Sequence, residues 1–334
     1  MRTRGFTLIE LMISMALFGL IAAGAMTLVL SGTRMQAHSA RVDVAQTSLR
    51  AAVDFMTRDV VAASAGASSG LLTIGSSGLT VDAVNLALNN VGPNGEDSLE
   101  VYTVDGTTAA QLTSGVGGSA TSLPITYESP TSGATGQFSP TLPYPAYVQV
   151  SDLSGGSIVL LKSASVSSLG VDPLPAAYAA NAWVMPSRHV TYSISNTVFG
   201  AAITANASML MMDVNGSGAQ PLAEGVEDLQ VAYGFDNDGD GVVTELGASA
   251  GDDEWLYNVA GETGPTVVPT VGAWSIANLR SVRVTLVVKG TSVEGGQQNL
   301  PVRPAAEDHA AGTTPDGFIR RVLRTEIAVR NFHP

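Results

Sequence analysis

The sequence predicts an α+β protein in which one long N-terminal helix is followed by a β-rich antiparallel head. Three observations carry that prediction. An apolar run from Phe6 to Leu30 continues, with no proline before Pro93, into a stretch whose apolar residues keep helical spacing as far as Val60. After Gly70 the texture changes to short β-rich runs separated by clusters of Gly, Ser, Pro and Asn. A 334-residue chain that is 45% hydrophobic and 13% charged, with 36 Gly and 16 Pro, is too apolar for a disordered polymer. It is also too rich in turn formers for a helical bundle. The net charge of −13 argues against binding to nucleic-acid phosphate, which needs clustered Lys and Arg. The absence of cysteine excludes disulfides, thiolate zinc sites and cysteine nucleophiles together.

The first element is the apolar run. Phe6 to Leu30 is broken only by Thr7, Glu10, Ser14 and Thr27. As a helix it spans about 37 Å, more than the roughly 30 Å of bilayer hydrocarbon. It also contributes to the positive mean hydropathy of +0.23. Arg2 and Arg4 precede it, so the short N-terminus stays cytoplasmic and the rest of the chain is exported. Glu10 is costly inside a membrane. Either it reaches back to the headgroups from near the interface, or it has a partner. Ala23-Gly24-Ala25 also fits the small-residue site of an ordinary secretory signal.

Beyond Ser31 the pattern argues for one continuous helix. Val42, Ala45, Leu49, Val53, Met56 and Val60 recur at steps of three and four and form one stripe. Arg41, Asp43, Gln46, Arg50, Asp54, Arg58 and Asp59 occupy other faces, with Arg50/Asp54 and Asp54/Arg58 as i,i+4 pairs. The reading is a helix from Phe6 to about Ala65, roughly 90 Å long, transmembrane over 6–30 and amphipathic over 31–65. Its second half lays one stripe on the head, residues 66–334.

Within the head, candidate strands are Leu71–Ile74, Leu99–Val104, Ala146–Val150, Ser157–Leu161, His189–Ile194, Leu229–Tyr233, Leu279–Val288 and Leu323–Val329. Val282, Val284, Leu286 and Val288 alternate with Arg283, Thr285 and Val287, which predicts one face on the core and the other largely wet. Thr107–Gly136 is Gly/Ser/Thr-rich and reads as long surface loops or a small insertion.

The strongest chemical motif is Asp236-Asn237-Asp238-Gly239-Asp240-Gly241. Carboxylates at alternate positions before a turn-forming glycine make the first half of a calcium loop. An EF-hand would place a bidentate Glu at the twelfth position, where this chain has Gly247. Glu245 falls two residues early, and Asp252, Asp253 and Glu254 come later, so a closing ligand must come from elsewhere. The Val242 carbonyl and the Thr244 hydroxyl complete the candidate set of Asp236, Asp238, Asp240, Val242, Thr244 and Glu245. The competing reading is a solvated Asp/Gly turn. Gly66-Ala67-Ser68-Ser69-Gly70 matches G-x-S-x-G but follows a helix rather than a strand, so it is not a nucleophile elbow. His38, His189, His309 and His333 show no metal spacing, and Trp183, Trp255 and Trp274 read as core or rim anchors. No catalytic constellation emerges, and the chain reads as a non-enzyme.

The N-terminal letters Gly5-Phe6-Thr7-Leu8-Ile9-Glu10 resemble a type IV prepilin. The resemblance implies a leader of residues 1–5, cleavage after Gly5 by prepilin peptidase, N-methylation of Phe6, and a Glu at the fifth mature position. Glu10 of one subunit would then neutralise the Phe6 amine of a neighbour in a low-dielectric filament core. Cleavage removes Arg2 and Arg4 and takes the mature charge from −13 to −15.

Three head segments, Leu222–Asp236, Leu279–Val288 and Arg320–Asn331, resemble the PilW family of minor type IV pilins, related to the J-type pseudopilins of type II secretion. That resemblance implies a low-abundance subunit that joins other minor pilins in a short complex at the inner-membrane assembly platform and primes assembly of the major pilin. It then sits at or near the fibre tip, where it could present an adhesin. A J-type pseudopilin is the alternative within the class. Outside it stands a secreted or anchored enzyme or lectin with a prepilin-like N-terminus.

Overall fold

A computed structural model describes residues 8–63, 71–74, 80–82, 90–92, 94–104, 109–127, 138, 147–152, 155–198, 201–202, 208–244, 254–260, 278–292, 301–316 and 318–329. Helix α1 runs Leu8–Ala62, 55 residues; Phe6, Thr7, Ser64 and Ala65 of the expected span lie outside the described residues. The strands are β1 (Leu71–Ile74), β2 (Thr80–Asp82), β3 (Leu99–Val104), β4 (Ala110–Leu112), β5 (Ser122–Tyr127), β6 (Tyr147–Asp152), β7 (Gly155–Ala164), β8 (Ser168–Val171) and β9 (Trp183–Ser195). They continue with β10 (Thr197–Val198), β11 (Ala201–Ala202), β12 (Met209–Val214), β13 (Gln220–Glu224), β14 (Val226–Phe235), β15 (Trp255–Leu256), β16 (Leu279–Ser292) and β17 (Phe318–Ala328). An N-terminal apolar helix and a β-rich antiparallel head are the fold class the sequence predicts.

The chain divides into two compact units at Leu49/Arg50. In the first, Leu11–Thr33 is a membrane-length stretch of mean hydropathy 2.2, none of it buried. Three of its hydroxyls are tied back to the helix: Ser14 Oγ donates to the Leu11 carbonyl at 2.9 Å, Thr27 Oγ1 to that of Ala23 at 2.8 Å and Thr33 Oγ1 to that of Leu30 at 3.0 Å. Such back-bonding is what an apolar surrounding demands of a polar side chain.

In the second unit, Ala52, Met56 and Val60 in the last turns of α1, and Ala63 just beyond it, are completely buried. Asp59, expected on another face of the helix, is buried beside this stripe instead. Its carboxylate accepts hydrogen bonds from Arg188 Nη2 at 2.8 Å and the Tyr192 hydroxyl at 2.7 Å, so the charge enters the interface already paired. Burial and the Asp59 charge together push the Tyr192 phenol above its ordinary range.

Among the described residues the head holds an eleven-stranded sheet, the two-stranded β10–β11 and a four-stranded sheet. In the first, β9 pairs with β4, β4 with β5, β5 with β8, β8 with β7, β7 with β6, and β6 returns to β9, every ladder antiparallel. These six strands close a barrel. Its interior is filled by residues two apart on successive strands: Ala110 and Leu112, Leu123 and Ile125, Val148 and Val150, Val159 and Leu161, Leu169 and Val171. The expectation of surface loops over Thr107–Gly136 is therefore corrected. β4 and β5 lie within it, and their four inward residues are at most 3% exposed.

The four-stranded sheet has the order β15-β14-β16-β17. Gly225 joins it to β12 and β13. Its N–H donates to the Ser208 carbonyl at 2.9 Å, just before β12, while its own carbonyl accepts from Lys289 N in β16 at 2.8 Å. The chain turns between sheets there with φ +81°, a conformation natural to glycine.

The predicted wet face of this sheet is dry. Thr285 and Val287 are fully buried, and Arg303, Glu307 and His309 reach this face from the segment 301–312. Glu307, its side chain 1% exposed, accepts from Arg283 Nη2 at 2.7 Å and Thr285 Oγ1 at 2.6 Å, and meets Arg324 Nε at 3.0 Å. Arg283 also lies 3.9 Å over the Trp255 ring. The polar letters of the alternating strand mark buried ion pairs rather than water.

Candidate functional site

Three places in the sequence point to function: the N-terminal processing site, the acid within α1, and the Asp-rich turn. Gly5 and Phe6 lie outside the described residues. Glu10 lies in the first turn of α1, immediately ahead of the membrane-length stretch.

The Asp-rich turn is built where β14 ends. β14 is buried along nearly its whole length and carries Asp236 into the protein, 3% exposed, while Asp238 and Asp240 stand in solvent. One carboxylate oxygen from each of the three lies within 4.8 Å of the others. The chain folds this way because each acid caps the backbone ahead of it. Asp236 accepts from the N–H of Gly239 at 2.7 Å and of Gly241 at 3.2 Å, Asp238 from Asp240 at 3.1 Å, and Asp240 from Val242 at 2.8 Å. Gly239 and Gly241 adopt φ +80° and +84°, which the successive turns require.

Two further residues complete the turn. Glu254, 4% exposed, crosses it: Oε1 accepts from Asn237 N at 3.0 Å, and Oε2 from Thr244 N at 2.5 Å and Thr244 Oγ1 at 3.2 Å. The Thr244 hydroxyl is thus engaged by Glu254. Val242 is exposed and Glu245 lies outside the described residues. Arg280 meets Asp236 Oδ2 through Nε at 3.1 Å and Nη2 at 3.0 Å, offsetting part of the acid's charge. Reading the sequence placed Asp236, Asp238 and Asp240 together but missed Arg280. The pairing brings it there: Gly234 opposes Ser281 and Phe235 opposes Leu279, so Arg280 is the extra residue at a register shift next to the end of β14.

A second polar cluster lies on the covered face of β14. Asp228 Oδ2 meets Arg303 Nη1 at 2.7 Å and His309 Nδ1 at 2.8 Å, and Gln230 Nε2 donates to Asp228 Oδ1 at 2.8 Å. Asp97 accepts from the N–H of Asn90 and of Val231, both at 2.7 Å. Burial pushes the Asp97 carboxyl up to about 8 against the lowering of those two amides, with Asp308 and Asp228 adding to the rise. His309 thus contacts Asp228, and His189 stacks on Tyr102 at 4.6 Å between centroids.

The family model of type IV pilus-assembly protein W matches residues 191–331, and the prokaryotic N-terminal methylation motif matches residues 1–26. Over those residues the chain is PilW-like and related to type IV pilins. Both matches are to structural components of pili rather than to enzymes. The PilW match runs from within β9 through β17, so it contains the four-stranded sheet, the Asp-rich turn, Asp228 and Glu307. Strands β4 to β8 of the barrel lie between the two matched regions. An apolar N-terminal helix behind a prepilin motif fits an inner-membrane-anchored pilin. No curated protein matches the chain.

Proposed function

We propose that this chain is a minor type IV pilin that primes pilus assembly and then sits at or near the fibre tip. The observation that carries the reading is the union, in one chain, of a methylation motif over residues 1–26, an exposed apolar helix and a PilW-type sheet. Prepilin peptidase cuts after Gly5, and the head stays outside the cytoplasm while α1 holds the subunit in the inner membrane. Glu10 then pairs with the Phe6 amine of an adjacent pilin as the helix passes from bilayer to fibre. Both environments are of low dielectric, so the pairing is worth more there than in water. The partners are the peptidase, other minor pilins, the major pilin, the assembly platform and a tip adhesin.

Gly5→Val should leave an uncleaved, membrane-retained precursor; normal processing of that variant would refute the leader. Glu10→Ala should be processed normally yet reduce the number of pili, and unchanged pilus counts would refute the pairing. Sheared fibres should hold this chain in trace amounts, whereas bulk amounts would make it the main fibre subunit.

We also propose that the Asp-rich turn binds calcium through Asp236, Asp238 and Asp240. The reading is supported by three ligand oxygens within 4.8 Å, a spacing at which unneutralised carboxylates repel one another. A cation seated there competes with Arg280 for Asp236. Chelator should then lower the melting temperature of the mature protein, and an identical melting curve with and without calcium would remove the site.

A further inference from the structure

The free edges of the head are not alike. β15 has two residues and β2 three. β13 carries Pro221 and faces a register shift at Leu210/Met211, and β3 is bridged at Thr103 by Ala63. Short strands, prolines, irregularities and covering segments are how proteins keep sheet edges from recruiting other chains. Apart from its charged side chains and a register shift at its start, between Lys289 and Ser292 of β16, β17 has none of these among the described residues. It is eleven residues long, without proline, and pairs with β16 in unbroken register from Arg320 to Ala328. Among the described residues no strand lies on its other side.

The register also says which backbone groups face outward. Val329 N donates to the Arg280 carbonyl at 2.8 Å, so the odd-numbered residues of β17 bond to β16. The N–H and C=O groups of Arg320, Val322, Arg324, Glu326 and Ala328 therefore point away from the sheet. At the middle of this row the strand is open on both faces: Arg321, Val322 and Arg324 are all exposed or partly so, Val322 at 46%.

Charge selects what can pair there. On a chain of net charge −13, β17 carries Arg320, Arg321 and Arg324 against the single acid Glu326. Arg320 is held by Glu227 at 2.9 Å and by Asp316 at 2.5 Å, and Arg324 meets Glu307 at 3.0 Å. Arg321 stands exposed on the opposite side-chain face from Arg324.

We propose that β17 is a strand-addition site that receives an extended, acidic segment of another protein. The incoming strand extends the sheet to five strands, satisfies the outward row of backbone groups, and sets an apolar side chain against Val322. Acidic side chains on its two faces then meet Arg321 and Arg324. This surface does not depend on the pilin reading, because it follows from the edge and its charges alone.

The test uses the mature full-length protein in detergent micelles and a ten-residue probe peptide of Val, Thr and Glu, with its Glu→Lys counterpart as control. The Glu peptide should bind, and the Lys peptide should bind roughly tenfold more weakly, as expected for the loss of two cross-strand charge pairs. Arg321→Glu should abolish that preference. Val322→Pro removes only an outward donor, so it should abolish binding while leaving the β16–β17 ladder and the melting temperature in place. Backbone N-methylation of the peptide should abolish binding with the protein untouched, which keeps the test valid if the proline variant misfolds. Failure of the Glu peptide to bind, or its equal binding after N-methylation, would overturn the proposal. So would self-association of the wild-type chain that Val322→Pro removes, since the occupant would then be a second copy.

Discussion

The barrel and the four-stranded sheet solve the same problem in opposite ways. The barrel closes on itself, leaves its six strands no common edge, and fills its interior with apolar residues in strict alternation. The sheet stays open, buries ion pairs made with residues of the segment 301–312, and ends on a long regular strand. The closed barrel pairs further only where its longer strands run on, β9 with β3 and β12 and β7 with β1. An open sheet whose polar groups are spent inward, but whose edge is intact, is suited to assembly. The family match follows the sheet, while β4 to β8 of the barrel lie outside it.

The difference can be broken from either side. Glu307→Ala should be the most damaging change to the sheet, about 3–5 kcal/mol, because it strands Arg283 and Thr285 in a dry layer. A loss below about 1 kcal/mol in urea denaturation would show that layer to be hydrated. Leu123→Ala, at a fully buried barrel position, should cost about 2–5 kcal/mol through cavity formation. If that variant denatured at the wild-type urea concentration, the barrel interior would not be a packed core. Gly225→Ala forces an alanine into φ +81°, at a cost of about 1–2 kcal/mol, and the measured change in denaturation midpoint should not exceed that range.

The smallest effect is a slope. Asp97 keeps its proton in the fold up to about pH 8 but loses it near 4 once unfolded. Between those values the native state binds more protons, so this group's contribution is full at acid pH and is lost as pH rises toward 8. The melting temperature of the wild type should therefore fall more between pH 5 and pH 8 than that of Asp97→Asn. Parallel curves would place Asp97 in the ionised state throughout.

The sequence made the sheet easier to read than the barrel, for physical reasons. Val282, Val284 and Leu286 recur at period two along β16, a strand of 14 residues and so long enough for the alternation to register. Barrel strands β4 and β8 have three and four residues, too few for alternation to stand out in a Gly/Ser/Thr background. Asp59 and Glu307 look like surface residues because charge usually means water. Here each is buried with its counter-charge, and those partners, Arg188 and Arg283, lie far away or only across a loop in sequence. The Asp-rich turn was legible because its residues are adjacent and its glycines positioned. Glu254 and Arg280 were not legible as its closers, because only the strand pairing brings them there.

The identity of the mature N-terminus carries the most weight, since the anchored helix, the Glu10 pairing and the assembly role all depend on it. Mass spectrometry of the N-terminal peptide from membrane and sheared-fibre fractions reads it directly. The prediction is a chain that begins at Phe6 with one added methyl group on its amine. A chain beginning at Met26, after Ala23-Gly24-Ala25, would make the segment an ordinary export signal and contradict the pilin reading.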